Sequence, residues 1–270
     1  MPHSKQYSTK LLSWYDHHRR EFVWRDTTMT PYQIWLSEIM LQQTGAATVT
    51  PYYQRFIARF PTVEILAAAE LAAVLQLWAG LGYYARGRNL HRAAQVIMAD
   101  FGGELPSLES ELRQLPGVGA YTAAAIAAIA FDRRAVVVDG NIERILARYF
   151  AVEEPLPRAK PRLRQLAAEV TPEERCGDFA QAGFDLGATI CRPRQPKCPL
   201  CPLAPECQGL ALGQAESYPR KMPKAASPAR FGTLFWCEDQ QGRLLLRRRP
   251  PNGLLGGMVE IPSSEWLNVP

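Results

Sequence analysis

The chain is short of the long apolar runs that membranes and secretion require. Its N-terminus, MPHSKQYSTKLLSWYDHHRR, offers no stretch long enough for a signal peptide or a bilayer span, and the expected location is the cytoplasm. β-Type sequence is almost as scarce. Between residues 8 and 210 the one β-like run is AVVVDGN (135–141), too short and too isolated to found a sheet. No self-similarity at a period of roughly 20–50 residues occurs, which disfavours a helical solenoid. Charge of one sign is in no great excess: 31 Lys+Arg against 26 Asp+Glu leave +5, and the pI is near 8.9. That balance permits a polyanionic partner without demanding one. The cysteines number six, and in a reducing compartment stable disulfides do not explain them.

What the 270 residues do contain is helical periodicity, sustained from about residue 8 to residue 210. Apolar residues recur at three- and four-residue spacing in YQIWLSEIMLQQT, LAAVLQLWAG, YTAAAIAAIAF and NIERILARYF. Pro31, Pro61, Pro116 and Gly140 read as breakers between such runs. A hydrophobic content of 47% supports a real core, so residues 1–211 are expected to form an all-α domain. Residues 212–230 carry three prolines and several basic residues and read as a linker. After them FGTLFWCED and GRLLLRRRP form a β-type pair. Residues 231–270 hold too little core to fold alone, which points to a fragment or to a segment packed on the helical part.

Four cysteines, Cys191, Cys198, Cys201 and Cys207, form C-x6-C-x2-C-x5-C. Four soft thiolates this close in sequence can converge on one centre. A structural zinc site usually shows two C-x2-C pairs, whereas the irregular outer gaps here suit an iron–sulfur cluster somewhat better. Cys176 and Cys237 stand apart and read as small buried residues. Between the first two ligands lies RPRQPK, whose Arg192, Arg194 and Lys197 make either a basic prong for phosphates or a solvated loop.

Residues 115–130 read LPGVGAYTAAAIAAIA. Gly117 and Gly119 allow a sharp turn and a close backbone approach, and the unpaired N–H groups of the next helix favour an anion. A plain helix–turn–helix corner would use the same residues, but helix, L-P-G-V-G, helix is also how DNA-backbone-gripping hairpins are built. Two carboxylates stand out. Glu38 lies in the apolar run IWLSEIML, on one stripe with Ile34 and Leu41, so burial should raise its pKa. Asp139 precedes Gly140 and Asn141 as an N-cap of NIERILARYF, which should favour its anion. A proton donor paired with an anion is what glycosidic cleavage through an oxocarbenium-like state requires. Taken singly, Glu38 could as well be a buried ion-pair member and Asp139 a turn residue.

In order, WLSEIMLQQT, GLGYYARGRNL, LPGVGAYTAAAI, VDGNIERILAR, QAGFDLGATIC and the cysteine cluster closely resemble the MutY-type adenine DNA glycosylases of the helix-hairpin-helix, endonuclease III superfamily. The resemblance runs from about Leu11 to Pro262. It implies a two-lobed all-α fold, with a six-helix barrel over about 30–135 and a lobe of terminal helices holding a 4Fe–4S cluster on the four cysteines. It also implies removal of adenine mispaired with 8-oxoguanine or guanine in duplex DNA, by a monomeric enzyme of the bacterial cytoplasm that acts at the nucleoid. Glu38 then resembles the acid that protonates adenine, and Asp139 the carboxylate facing the sugar cation. Asn141 and Tyr121 resemble their orienting neighbours. Gln43 and Tyr83 resemble residues that probe or wedge the duplex, with Gln42, Thr44 and Leu81 in the same region. Trp24, Arg25 and Gln181 resemble the adenine pocket, and Gly117, Val118 and Gly119 the phosphate-gripping hairpin. The tail resembles the opening of a Nudix-like domain that contacts 8-oxoguanine, present only in part over residues 231–270.

Two other readings compete. An endonuclease III-type glycosylase and abasic-site lyase needs a lysine to form a Schiff base, and its relatives carry that lysine where this sequence has Tyr121. A non-catalytic iron–sulfur DNA-binding protein would keep the cysteines, prong and hairpin and leave Glu38 and Asp139 incidental.

Overall fold

In the computed structural model the apolar periodicity resolves into helices nearly everywhere it was expected. The structure describes residues 2–223, 228–250, 253 and 256–267. Positions 224–227 of the expected linker, and 251–252, 254–255 and 268–270 of the expected C-terminal domain, lie outside the described residues. The helices are α1 (Pro2–His18), α2 (Pro31–Leu41), α3 (Ala46–Arg59), α4 (Val63–Ala68), α5 (Leu71–Trp78), α6 (Ala85–Asp100), α7 (Glu109–Leu112), α8 (Ala120–Phe131), α9 (Gly140–Tyr149), α10 (Lys160–Val170), α11 (Cys176–Thr189) and α12 (Gln208–Ala211). Two short strands follow, β1 (Arg247–Arg248) and β2 (Val259–Glu260).

The residues group into two compact units. One comprises the chain through Gly82 together with Arg86–Met222, the other Tyr83–Ala85 together with Pro223–Pro270. In the first, α8 is the central rod: Ala123 to Ala128 are all buried, and α8 packs on both α2 and α11. A helix apolar on all faces has no solvent side, which is why its sequence shows no amphipathic stripe. The α8–α11 contact is close enough to require a missing side chain. A Cβ on Gly177 would lie 2.7 Å from the Ala128 carbonyl oxygen and 3.0 Å from Ile129 Cα. Helices α1 and α9 pack on α11, and α10 packs on both of them.

Several expectations change in detail. Pro31 separates two helical runs as expected, and does so as the first residue of α2. Thr30 caps that helix reciprocally: its Oγ1 accepts from Gln33 N, while its own N–H donates to Gln33 Oε1 at 2.8 Å. The run AVVV forms no strand; residues 132–139 are an irregular passage that buries Ala135 and Val137. The expected linker is folded at its start. Tyr218 is 1% exposed, and Leu156 N donates to Arg220 O at 2.8 Å while Met222 N donates to Leu156 O at 3.1 Å. Apolar and backbone contacts thus hold residues up to 222 in the helical unit despite their proline-rich composition. Cys176 is buried as expected, whereas Cys237 is exposed.

The second unit is a minimal antiparallel pairing, with Arg247 opposite Glu260 and Arg248 opposite Val259. Isolated bridges join Phe231 to Leu267, Leu234 to Ser263 and Glu238 to Leu244. Leu234, Phe235, Trp236, Leu245 and Trp266 are exposed, the condition of a sheet whose apolar face has no covering layer among the described residues. Among the described residues no helix is long and apolar enough to cross a membrane.

Replacing Gly177 by Ala should overpack the α8–α11 contact and lower stability by roughly 1–3 kcal/mol, read as a fall in the urea midpoint. An unchanged midpoint would mean that the two helices are free to separate.

Candidate active site and cysteine cradle

The stripe predicted on α2 faces a cavity of about 270 Å³, lined along that helix by Ile34, Ser37, Glu38 and Leu41. Trp24 and Arg25 enter from the segment after α1, and Tyr121 from the first turn of α8. Asp139 and Asn141 stand at the start of α9, and Gln181 and Phe184 on α11. Thr44 is also on the wall. Residues expected in the acid pair, its neighbours and the adenine pocket therefore share one chamber.

The two carboxyls are held differently. Glu38 is 8% exposed, and burial, reinforced by the negative charge of Asp139 and opposed by Arg25, pushes its carboxyl up to about 7. Asp139 caps α9. Its Oδ1 accepts from Asn141 N at 3.0 Å and Ile142 N at 2.8 Å, and its Oδ2 from Asn141 Nδ2 at 2.8 Å. Burial still moves the Asp139 carboxyl above its ordinary value, and these donors work against that rise. The expectation of a carboxylate simply stabilised by a helix end is thus corrected: the cap partly offsets desolvation. Tyr121 is also raised, chiefly by burial and then by both carboxyls, so its phenol stays neutral.

Asn141 is oriented in turn. Its Oδ1 accepts from Arg144 Nη2 at 2.9 Å, and Arg144 Nε donates to the Cys191 carbonyl at 2.8 Å. A continuous run of hydrogen bonds thus joins the first cysteine of the cluster motif to Asp139. Asp185, 0% exposed, accepts from Arg20 Nε and Arg25 Nη1, each at 2.7 Å, and from Arg20 N at 2.9 Å. Both guanidiniums also lie over the Phe22 ring, at 4.9 and 5.0 Å, and Phe22 stacks on Trp24 at 5.1 Å. Sequence reasoning passed over Arg20, Phe22, Phe184 and Asp185. Asp185 carried a signal, being a lone carboxylate between Phe184 and Leu186, as Glu38 is in its own run. Arg20 carried none, because its partner Asp185 lies 165 positions away.

The expected DNA-facing residues lie outside the chamber, Thr44 apart. Gln42 caps α2 and donates from Nε2 to Thr122 Oγ1 at 3.0 Å. Gln43 is exposed, and Tyr83 is 61% exposed. Leu81 and Val118 are buried, so neither offers its side chain to a duplex; the apolar interior takes them instead. In the hairpin, Val118 N closes a turn on Leu115 O at 3.1 Å. Gly117, at φ +80°, sits where a Cβ would meet Asn89 Cβ at 2.8 Å, whereas a Cβ on Gly119 would meet open space. Of the basic loop, Arg194 and Lys197 are exposed, but Arg192 folds back to donate to Gln195 O at 3.1 Å.

Cys191, Cys198, Cys201 and Cys207 line one apolar cavity with Ile145, Leu186, Ile190 and Leu210. Burial pushes the Cys201 thiol up to about 12, so thiolates here need a compensating cation. Among the described residues no three His, Cys, Asp or Glu side chains are grouped to hold a single metal ion. Four thiols around one apolar cavity fit a thiolate-held metal centre. Buried Arg148 closes the cradle, donating to Cys191 Sγ at 3.3 Å, Arg192 O at 2.7 Å, Pro193 O at 3.0 Å and Tyr218 O at 3.1 Å.

Residues 36–172 match the HhH-GPD superfamily of base excision DNA repair proteins. The human adenine DNA glycosylase is 37% identical over 310 residues, covering 95% of this chain and 57% of that protein. The chain thus spans little more than half the length of that relative. A thermostable thymine-DNA glycosylase of known structure is 33% identical, with a TM-score of 0.70 over 76% of this chain and 95% of that one. An endonuclease III bound to DNA shares the fold at 22% identity, with a TM-score of 0.65 over 80% of this chain and 96% of that one.

Because the folded chain holds the Glu38 proton up to about pH 7 against an ordinary 4.5, stability should fall as pH rises between those values and then level. Glu38→Gln should therefore melt above the parent at pH 8, by an amount on the order of 3 kcal/mol, and converge with it near pH 5. Thermal melts across that range decide, and parallel curves would refute the buried proton. In the hairpin, Gly117→Ala should destabilise the fold, while Gly119→Ala should keep the melting temperature and weaken duplex binding in an anisotropy titration.

Proposed function

The chain belongs to the HhH-GPD superfamily of base excision DNA repair proteins, and we propose that it is an adenine DNA glycosylase acting on adenine opposite 8-oxoguanine or guanine in duplex DNA. The observation that carries this reading is the single chamber with a proton held on Glu38 and a capped carboxylate at Asp139. The names of relatives such as the human adenine DNA glycosylase support the choice of base.

A base inside the stack is out of reach, so adenine is first extruded into the chamber. Glu38 gives its proton to a ring nitrogen of adenine, and the N-glycosidic bond breaks with its electron pair leaving on the base. Asp139, as the anion, faces the positive charge that develops on the sugar. Water adds to the sugar carbon and returns a proton to Glu38, which restores the acid. Asn141 keeps Asp139 in place, and neutral Tyr121 packs the reacting nucleotide beside Phe184. No lysine lines the chamber among the described residues, and Tyr121 stands where a lyase would carry one, which supports a monofunctional enzyme.

Gln43, Tyr83, Arg194 and Lys197 are the exposed groups we assign to the duplex, with the Gly117–Gly119 turn taking a phosphate. The four cysteines would hold a 4Fe–4S cluster that cross-links the chain around the basic loop. Residues 231–270 we read as Nudix-like sequence directed at the opposite base. The enzyme is expected to act as a monomer in the bacterial cytoplasm.

Duplexes with one A opposite 8-oxoguanine, G or T, and one with T opposite G, test the assignment. Adenine release from the first two, abolished in Glu38→Gln and at least about 100-fold slower in Asp139→Asn, is expected. Thymine release from T:G alone, or binding without turnover, would overturn it. With a proton required on Glu38, single-turnover rates should decline above about pH 7. Borohydride trapping on abasic DNA should yield no covalent complex, and purified protein should be brown with about four irons per chain.

A further inference from the structure

Two residues without glycine's freedom are held in the left-handed backbone region at the expected duplex surface: Gln43 at φ +56° and Tyr83 at φ +46°. L side chains rarely adopt that conformation, and it persists only where neighbouring structure over-determines it. Both follow a carbonyl bound by the same side chain. Arg86, on the first turn of α6 and 8% exposed, donates from Nη1 to the Gln42 carbonyl at 2.5 Å and from Nη2 to the Gly82 carbonyl at 3.4 Å. The same two nitrogens reach Met40 O at 2.7 Å, Ile39 O at 3.3 Å and Leu81 O at 3.3 Å.

The three α2-side acceptors are carbonyls at the end of that helix, which have no helical partner and carry the negative end of its dipole. A guanidinium is suited to this place because its planar fork can serve two groups of acceptors at once, whereas an ammonium concentrates its donors at one point. The Gly82 carbonyl is held a second time, by Trp78 Nε1 at 3.1 Å, and the Arg86 guanidinium lies 5.5 Å from the Trp78 ring centroid. Gly82 itself is at φ +76°. One buried cation therefore sets the peptide planes that lead into both strained residues.

We propose that Arg86 is a positioning residue for duplex entry, fixing the two turns from which Gln43 and Tyr83 are presented to DNA. This inference rests on the glycosylase reading. It separates base extrusion from phosphate gripping, since the carbonyls that the Arg86 guanidinium holds belong to the 39–42 and 81–82 segments. Loss of Arg86 should leave the protein able to bind DNA but poor at drawing the target base out.

The test uses the full chain with 2-aminopurine replacing the target adenine opposite 8-oxoguanine, whose fluorescence rises on extrusion. It is compared with anisotropy on a matched duplex, far-UV circular dichroism and single-turnover adenine release. Arg86→Met should lose most of the fluorescence rise and slow release roughly 10- to 100-fold, while matched-duplex affinity stays within about threefold. Arg86→Lys should recover only part of the extrusion. The rate of Arg86→Met should keep its pH dependence, since Glu38 is untouched. Should Arg86→Met fail to fold, Gly82→Ala serves instead: its Cβ would enter open space, and it disturbs the second turn through φ alone. It should show the same split between extrusion and affinity. Variants that fold and extrude as well as the parent would sink this inference alone, as would a parallel loss of matched-duplex affinity. A parent chain that extrudes nothing would sink the glycosylase reading together with it.

Discussion

Asp139 sits at the N-terminus of α9 with three hydrogen bonds to its two oxygens, in a place where burial works against its charge. The chamber depends on that compromise. If the carboxylate were more exposed, water would screen it from a developing sugar cation; without the cap, desolvation would leave it protonated. The cap is itself supported. Asn141 can point its amide nitrogen at Asp139 because Arg144 occupies the amide oxygen, and Arg144 is in turn fixed by the Gly187 and Cys191 carbonyls. The cysteine loop thus reaches the site through one guanidinium, and order in that loop is order at Asp139.

The two carboxyls of the chamber also explain each other. Burial and then the charge of Asp139 raise the cost of ionising Glu38, so a proton on Glu38 beside an anionic Asp139 is the favoured state. Asp139 has three donors to hold its charge; Glu38 has mainly the distant influence of Arg25. The proton therefore rests on Glu38. Arg25 is restrained from quenching it because Asp185 already takes its Nη1 at 2.7 Å. A fully buried carboxylate is thus used to hold the segment after α1 through two guanidiniums.

Close approach recurs wherever the helices must bring chemistry together. Gly177 lets α11 lie on α8, and through that contact Gln181 and Phe184 face Tyr121 across the chamber. Gly209 lets α12 lie against the Arg148 carbonyl, where a Cβ would be 2.7 Å away, and so closes the cysteine cradle. Arg148, Arg144 and Arg86 share a pattern: each is a buried guanidinium spending its donors on backbone carbonyls of helix ends and loops. The fold uses arginine where a sheet would use strand pairing, because helix ends and loops leave carbonyls that need donors.

Much of this was legible from local pattern. The helices follow from three- and four-residue apolar spacing, and the burial of Glu38 from a single acid in an apolar run. The cap at Asp139 follows from its place before Gly140-Asn141, and the cysteine convergence from four thiols in 17 residues. Each is set by neighbours within a few turns of chain, so sequence by itself determined it. What only the tertiary structure decided are relations between distant segments: that Asp185 clamps Arg20 and Arg25, that Tyr218 belongs to the helical unit, that Leu81 and Val118 turn inward, and that burial outweighs the cap at Asp139. These are set by desolvation and by which groups meet across the core. Neither exists until the chain has closed on itself, because a side chain's dielectric surroundings belong to the assembled interior and to no stretch of sequence.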